Sequence, residues 1–294
     1  MTSLLETRGK KITLTNLKKE LWPGEGITKY HLIKYYLEVS AFMLPHLENR
    51  FLVIQRFPEG IHRPGFFQKN IPEGAPSWLK TAVFQGSEKE TRYLLCSDPE
   101  TLAWLGNQAC LEIHPWLSSR HTPEKPDYAV FDLDPPQGVS FRKVCLVALV
   151  LHKILKKKGL KAYPKTSGSR GIQVYLPLKP VYSYEQVRDF TAAVFKIVEN
   201  ELPDITTTER KVSMRGGKIY LDHLQNARGK TLVAPYSPRP LKGAPVSAPL
   251  LWEELTNPSL IPSSFTIHTI LPRLRSRGEL FAPVLHDRQE IPKK

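Results

Sequence analysis

Two aspartates separated by one leucine close the apolar run "YAVFDLDPP", residues 128–136. In a strand, alternate side chains share a face, so Asp132 and Asp134 project together. Carboxylates that close repel, and one of them resists ionisation unless a cation lies between them. A hard divalent ion, Mg²⁺ or Mn²⁺, suits such oxygen ligands. Two prolines then stop the strand and leave the pair at a sheet edge. The same pattern also fits strand-end residues that bond to loop amides. A third carboxylate, Asp222, lies at the end of the strand-like "KIYLDHL", residues 218–224. Three carboxylates on two strands can hold two metal ions that share a bridging group, the arrangement used for in-line phosphoryl transfer. His223 would face away from Asp222 in a regular strand and reads as structural.

A second group of residues suits anions. "KTSGSRG", residues 165–171, is a turn of small residues between two strand-like runs. Its backbone N–H groups can form an anion nest, with Ser167, Ser169 and Arg170 as further donors. An ordinary hairpin turn has the same composition, and the spacing is not that of a P-loop. "APYSPRP" holds Arg239 among rigid turns, where a fixed guanidinium suits phosphate oxygens, although a surface arginine reads the same way. His114 in "LEIHPW" lies inside a strand, where core histidines are frequent. "GFFQKN" sets Phe66 and Phe67 beside Lys69; exposed, one ring could stack on a base, and buried, both would be core. Lys19 and Lys29 flank "ELWPGEGIT" and by themselves would be solvated charges.

The elements that must position these groups are readable in outline. Thr28 is a capable N-cap for a helix, and Asp98-Pro99 opens a short one that Gly106 ends. A long helix runs through "FRKVCLVALVLHKILKKKG", and Ser183 with Gln186 makes a capping box for another. Strands are expected at 51–57, 110–116 and 128–134, around the turn in 161–178, and at 218–224 and 229–237. From Pro235 onward there are ten prolines in sixty residues, which predicts an extended wrap with one short helix near Leu250–Leu255. The mixture lacks the regular alternation of a doubly wound sheet. It predicts an α+β fold with mostly antiparallel central sheets flanked by helices.

The chain has 294 residues, enough for one large domain, and its 42 Lys plus Arg against 28 Asp plus Glu give a net charge of +14. Such a surplus suits a polyanionic partner. Three cysteines, Cys96, Cys110 and Cys145, argue against a disulfide framework or a structural zinc site. The N-terminus lacks the apolar core of a signal peptide. The longest apolar run, "VCLVALVL", is far short of the roughly 20 residues a membrane span needs. A cytoplasmic location without membrane attachment is expected.

Taken in order, "FDLDPP", "TSGSRGI" and "LDHLQNARGKTLVAPYSPRP" resemble the polymerase domain of the prokaryotic end-joining enzyme ligase D, in the archaeo-eukaryotic primase superfamily. The likeness runs from "LTNLKKELWPGEGITKYHLIKYY" to "APYSPRP". It implies one primase-polymerase domain with an RRM-like catalytic core: residues 1–125 carrying DNA-contacting elements, 126–240 the catalytic core and 241–294 the proline-rich wrap. It implies that Asp132, Asp134 and Asp222 bind two Mn²⁺ or Mg²⁺ ions. His114, Ser167 and Arg239 would grip the nucleotide and its triphosphate, with Ser169, Arg170 and Gln173 in the same site. Lys19 and Lys29 would bind a 5′-phosphate at a break. Phe66 and Phe67 would stack against the template beside Lys69, and Arg215, in "ERKVSMRGGK", would hold primer ends and nucleotide. The family commonly has histidine where this chain has Gln173, which can donate and accept but cannot become cationic.

The resemblance further implies templated extension with ribonucleotide preference, filling of gaps and double-strand ends in non-homologous end joining, a nucleoid-associated location, and a separate ligase and Ku-like protein as partners. Larger relatives fuse ligase and nuclease domains to this one, so a stand-alone polymerase or an excised domain is expected. A DNA-end bridging protein with a weak site and a de novo primase are the alternatives. A haloacid-dehalogenase-type phosphatase also uses a strand-end D-x-D, but with a small residue and a hydroxyl after it, near the N-terminus of a doubly wound sheet. "DLDPP" in mid-chain fits that poorly.

Overall fold

A computed structural model describes residues 2–86 and 90–292. The amino-terminal half contains β1 (Thr2–Thr7), β2 (Lys10–Thr15), β3 (Glu20–Trp22) and β4 (Ile27–Thr28), then α1 (Lys29–Leu47) and β5 (Leu52–Arg56). It continues with β6 (Phe66–Gln68), β7 (Thr81–Gln85), β8 (Glu90–Leu94), α2 (Pro99–Asn107) and β9 (Cys110–Pro115). The second half has β10 (Tyr128–Asp134), α3 (Phe141–Lys157), β11 (Tyr163–Thr166), β12 (Ile172–Pro177), α4 (Tyr184–Glu201), β13 (Thr206–Thr207) and β14 (Ile219–Asp222). The tail adds short 3₁₀ turns, α5 (Ile270–Arg277) and α6 (Pro283–His286).

Thr28 takes the N-cap position of α1 without a side-chain cap bond, and α2 runs past its expected end at Gly106 to Asn107; two side-chain caps form. Asp98 accepts from Thr101 N at 2.9 Å to start α2. Ser183 and Gln186 exchange bonds of 3.2 and 2.8 Å to start α4. Each satisfies an otherwise orphaned helix-end donor, worth about 1 kcal/mol.

Two five-stranded sheets carry the fold. One runs β11-β12-β10-β14-β13, antiparallel except for the β13–β14 pair. The other runs β6-β5-β8-β7 with β9 on β5, all antiparallel. In the first sheet, period-two alternation divides the faces. Ala129, Phe131 and Leu133 of β10, Ile172, Val174 and Leu176 of β12, and Ile219 and Leu221 of β14 enter one core with Val144, Val147, Ala148, Leu151 and Leu155 of α3. Burying each large side chain there contributes about 1.5–3 kcal/mol. The intervening residues, Asp132, Asp134, Gln173, Tyr220 and Asp222, are therefore left on the opposite face. Slipping β10 by one residue would drive both aspartates into the helices.

Three local expectations are corrected. Residues 229–237 make no ladder strand; Thr231 forms an isolated bridge to Trp116, and Tyr236 at φ +67° breaks the extension. The tail carries α5 and α6 besides a 3₁₀ turn at Trp252–Thr256. Their prolines, Pro272 and Pro283, fall in the first turn, where no intrahelical donor is needed. The tail is also more than a wrap, because Tyr236, Val246, Ala248 and Ile270 belong to the same core as α1 and α2. No helix among the described residues is long and apolar enough to cross a membrane. The three cysteines are free and buried.

Candidate active site

Register assembles the centre. Asp132 of β10 lies directly opposite Asp222 of β14 on one side and Gln173 of β12 on the other. Gln173 in turn faces Lys165 of β11. Directly opposed residues share a face, so Lys165, Gln173, Asp132 and Asp222 form one row across four strands. Asp134 and its cross-strand partner Tyr220 sit one step along that face. Asp222 accepts from Leu224 N at 2.9 Å and begins a 3₁₀ turn. His223 therefore lies in a turn rather than a regular strand.

The electrostatics follow from this crowding. Burial raises the Asp132 carboxyl, Asp222 and Asp134 raise it further, and a Gln173 hydrogen bond opposes them, leaving it at about 7. Asp132 nevertheless keeps partial solvent access. Burial also raises Asp134, against the pull of Arg170 and Arg215. Three mutually repelling carboxylates on one face are the donor set a hard divalent ion neutralises. Among the described residues, no three acidic, histidine or cysteine side chains already close around one metal position. The three aspartates are thus an open set on the sheet face.

Asp132 and Asp134 line a cleft of about 350 Å³ together with His114, Ser167, Ser169, Arg170, Gln173, Gln225 and Arg239. All six residues expected to hold nucleotide thus share one cleft with the aspartate pair. Ser167 Oγ accepts from the N–H groups of Ser169 (3.2 Å) and Gly171 (3.0 Å). Those two amides are consequently turned inward rather than offered to an anion, a correction to the expected nest. The tightness of the turn needs glycine. Gly168 has φ +69°, and a Cβ there would meet Arg239 Cγ at 2.7 Å; a Cβ on Gly171 would meet Leu133 O at 2.3 Å.

Arg239 joins the two sheets. Its Nη1 donates to Ser167 O at 2.7 Å, and its Nε lies 2.6 Å from Glu112 Oε1 of β9. That second contact is an ion pair without hydrogen-bond alignment. Glu112 also lies 2.8 Å from His114 Nε2. Burial would raise the Glu112 carboxyl, but His114 and Arg239 hold it below its usual range. Sequence reasoning missed Glu112, although Glu112 and His114 stand two apart on one strand. It also missed Lys165, which is fully buried. Lys165 Nζ donates to Gln173 Oε1 (2.5 Å), Ser247 Oγ (2.6 Å) and Val233 O (3.0 Å). Burial and then Arg239 pull its pKa down while Asp132 pulls it up. Three acceptors match the three N–H bonds of the ammonium form.

The remaining candidates surround this cleft or lie apart from it. Phe66 and Phe67 are both exposed on edge strand β6. The Phe67 ring meets His114 edge-on at 5.7 Å, tying an aromatic platform to the cleft. Lys69 is exposed next to it. Arg215 stacks on Tyr220 at 3.7 Å, beside Asp134. Lys19 pairs with Glu59 at 2.9 Å. Lys29 is buried rather than solvated; burial and then Lys19 and Arg56 lower its pKa. A second cleft of about 380 Å³ is lined by Arg50 and Asp127, but these pair with each other at 2.6 Å.

The family model "LigD, primase-polymerase domain" matches residues 28–281. The Bifunctional non-homologous end joining protein LigD of Bacillus subtilis is 38% identical over 284 residues, covering 96% of this chain and 45% of that protein. The Multifunctional non-homologous end joining protein LigD of Mycolicibacterium smegmatis is 34% identical over 279 residues, covering 94% and 36%. The chain thus spans less than half the length of these relatives. A solved structure, the polymerase domain from Mycobacterium tuberculosis ligase D in complex with DNA, superposes with a TM-score of 0.87 at 34% identity, covering 95% of this chain and 99% of that one.

Proposed function

As the chain belongs to the LigD primase-polymerase family, we propose that it is a templated nucleotidyltransferase that extends 3′ ends and fills gaps at DNA breaks in non-homologous end joining. The observation that carries this reading is the cross-strand row placing Asp132 opposite Asp222, with Asp134 on the same face and the anion-suited residues around one cleft.

In the reaction, the primer 3′-hydroxyl oxygen bonds to the α-phosphorus of the incoming nucleotide. The bond from that phosphorus to the bridging oxygen breaks, pyrophosphate leaves, and the hydroxyl proton is lost. Asp132, Asp134 and Asp222 would hold two divalent ions, Mn²⁺ or Mg²⁺, which when bound would acidify the attacking hydroxyl and offset charge on the leaving group. Arg239, anchored by Glu112 and by Ser167 O, offers its remaining guanidinium N–H groups to triphosphate oxygens. Arg170 lies beside Asp134, where phosphate charge would gather, and Ser167, Ser169, Gln173 and His114 complete the nucleotide pocket. The Phe66–Phe67 platform is the surface on which an unpaired template base would stack, with Lys69 nearby.

Lys29 and Lys19 are forced close by the fold, and a 5′-phosphate would relieve that repulsion. Lys29→Ala is expected to reduce the preference for gaps bearing a 5′-phosphate by about 10-fold. Equal use of phosphorylated and unphosphorylated gaps by both proteins would remove Lys29 from this role. If Lys19, Lys29 and Arg215 each neutralise one phosphate, affinity for gapped duplex should fall on the order of 40-fold between about 50 and 200 mM salt. A flat dependence would contradict the polyanion reading.

Ribonucleotide preference, a ligase and a Ku-like protein as partners, and a nucleoid-associated cytoplasmic location belong to the same proposal. Primer extension on a short gapped duplex tests it, comparing ribo- with deoxynucleotides and Mn²⁺ with Mg²⁺. Metal-dependent extension with a ribonucleotide bias supports the reading. Tight DNA binding without extension under any of these conditions would favour an end-bridging protein.

A further inference from the structure

A buried lysine beneath a catalytic face needs a reason, because burying an ammonium is costly unless its donors are fully matched. Lys165 is 0% exposed and continues the strand row that ends at Asp132 and Asp222. Its three acceptors fix more than the lysine. Val233 O can only accept, and Ser247 Oγ already donates to Thr166 O at 2.7 Å, so it too accepts from Lys165. As an ammonium, the form in which Asp132 supports it, Lys165 donates to all three, and Gln173 turns Oε1 toward it. The other end of the same amide, Nε2, is then left for Asp132, the residue directly across the β10–β12 pair, whose carboxyl Gln173 pulls down. A free glutamine could present either end; beside an ammonium, this one presents its oxygen to Lys165.

We infer that Lys165 is a positioning residue, which locks the Gln173 amide so that a donor, and not an acceptor, is held against Asp132. The inference rests on the reading of Asp132 as a metal ligand. Its effect would be to hold that carboxylate in one orientation from outside the ligand set, as partners behind metal ligands do. A flipped amide would set an oxygen against the carboxylate and push it from its place. Neither Lys165 nor Ser247 lines the cleft, so their part in the site is indirect.

The test is Mn²⁺ binding, measured with MnCl₂ by electron paramagnetic resonance, for wild type, Lys165→Met, Gln173→Met and the double variant, with melting temperatures alongside. Each single variant is expected to bind Mn²⁺ about 10-fold more weakly, and the double no more weakly than either single. A folded Lys165→Met with wild-type affinity would overturn the inference. So would a double variant whose loss is the product of the two, on the order of 100-fold, because the lysine would then act independently of the amide. Asp132→Ala separates the two levels. If it binds Mn²⁺ as wild type does, the metal-ligand reading itself fails and the role of Lys165 fails with it. If only Asp132→Ala loses Mn²⁺, the positioning role alone falls. Should Lys165→Met not fold, the Gln173 side-chain amide protons of the wild type, assigned by their loss in Gln173→Met, should shift on Mg²⁺ titration. Unmoved signals would contradict a donor facing Asp132.

Discussion

Asp132→Asn is expected to lose on the order of 10³-fold in templated extension while gaining stability. Asparagine fills the same space and can still accept from Gln173, so the sheet and its core are undisturbed. It cannot carry the charge that a divalent ion needs. The stability gain follows from linkage. The Asp132 carboxyl is raised from its ordinary 3.8 to about 7, so the folded protein binds this proton more tightly than the unfolded chain does. Stability is then lost as pH rises between those two values. Partial solvent access moderates the loss to roughly 1–3 kcal/mol at pH 8. Asparagine does not ionise, so without divalent ions the variant should melt higher than wild type at pH 8 and level with it near pH 4. Added Mn²⁺ should raise the wild-type melting temperature and leave the variant unmoved. A variant that melts lower at pH 8, or that extends primers at wild-type rate, would contradict this account of the carboxylates.

The second large effect is expected at Glu112. Glu112→Ala leaves Arg239 and His114 without their shared anion at the junction of the two sheets. Breaking a fully buried pair costs about 3–5 kcal/mol. Arg239 keeps some solvent access, so about 2–4 kcal/mol is expected, or a fall of roughly 6–12 °C in Tm. The sign of the pH dependence opposes that of Asp132. The folded Glu112 carboxyl is held low, so its contribution is complete above its ordinary value of 4.5 and is lost as pH falls through the folded value. The gap between wild type and Glu112→Ala should therefore narrow in acid. With Arg239 no longer anchored, KM for the nucleotide should rise about 10-fold while kcat changes less. Unchanged Tm and KM would mean that Arg239 is held by Ser167 O and its own turn alone.

What the sequence reveals is the part governed by local rules. The period of two places Asp132 and Asp134 on one face, and the caps of α2 and α4 lie within a few residues of the helices they start. Asp222 is visible as a strand-end carboxylate, but its position opposite Asp132 depends on the β10–β14 register, which contacts far apart in the chain decide. Glu112 and Lys165 are illegible for a related reason. Charged residues in strands usually point to water, and only the folded packing of β9 against Arg239, or of β11 against Ser247, shows that these two are enclosed. The tail misleads because proline density argues against helix, whereas Pro272 and Pro283 fall where a helix tolerates them. Residues 229–237 mislead through composition. Their apolar pattern is that of a strand, but the left-handed Tyr236 and the missing N–H of Pro235 end the pairing.

The central claim is that carboxylates from two strands, opposed across one sheet, together run a divalent-ion-dependent nucleotidyl transfer. Extension of a primer across a gapped duplex tests it most directly, measured with and without Mn²⁺ for wild type and Asp222→Ala. Extension by wild type only when Mn²⁺ is present, and its loss in Asp222→Ala with gapped-DNA binding retained, is the predicted result. Wild-type extension by Asp222→Ala, or extension by either protein without a divalent ion, would contradict it.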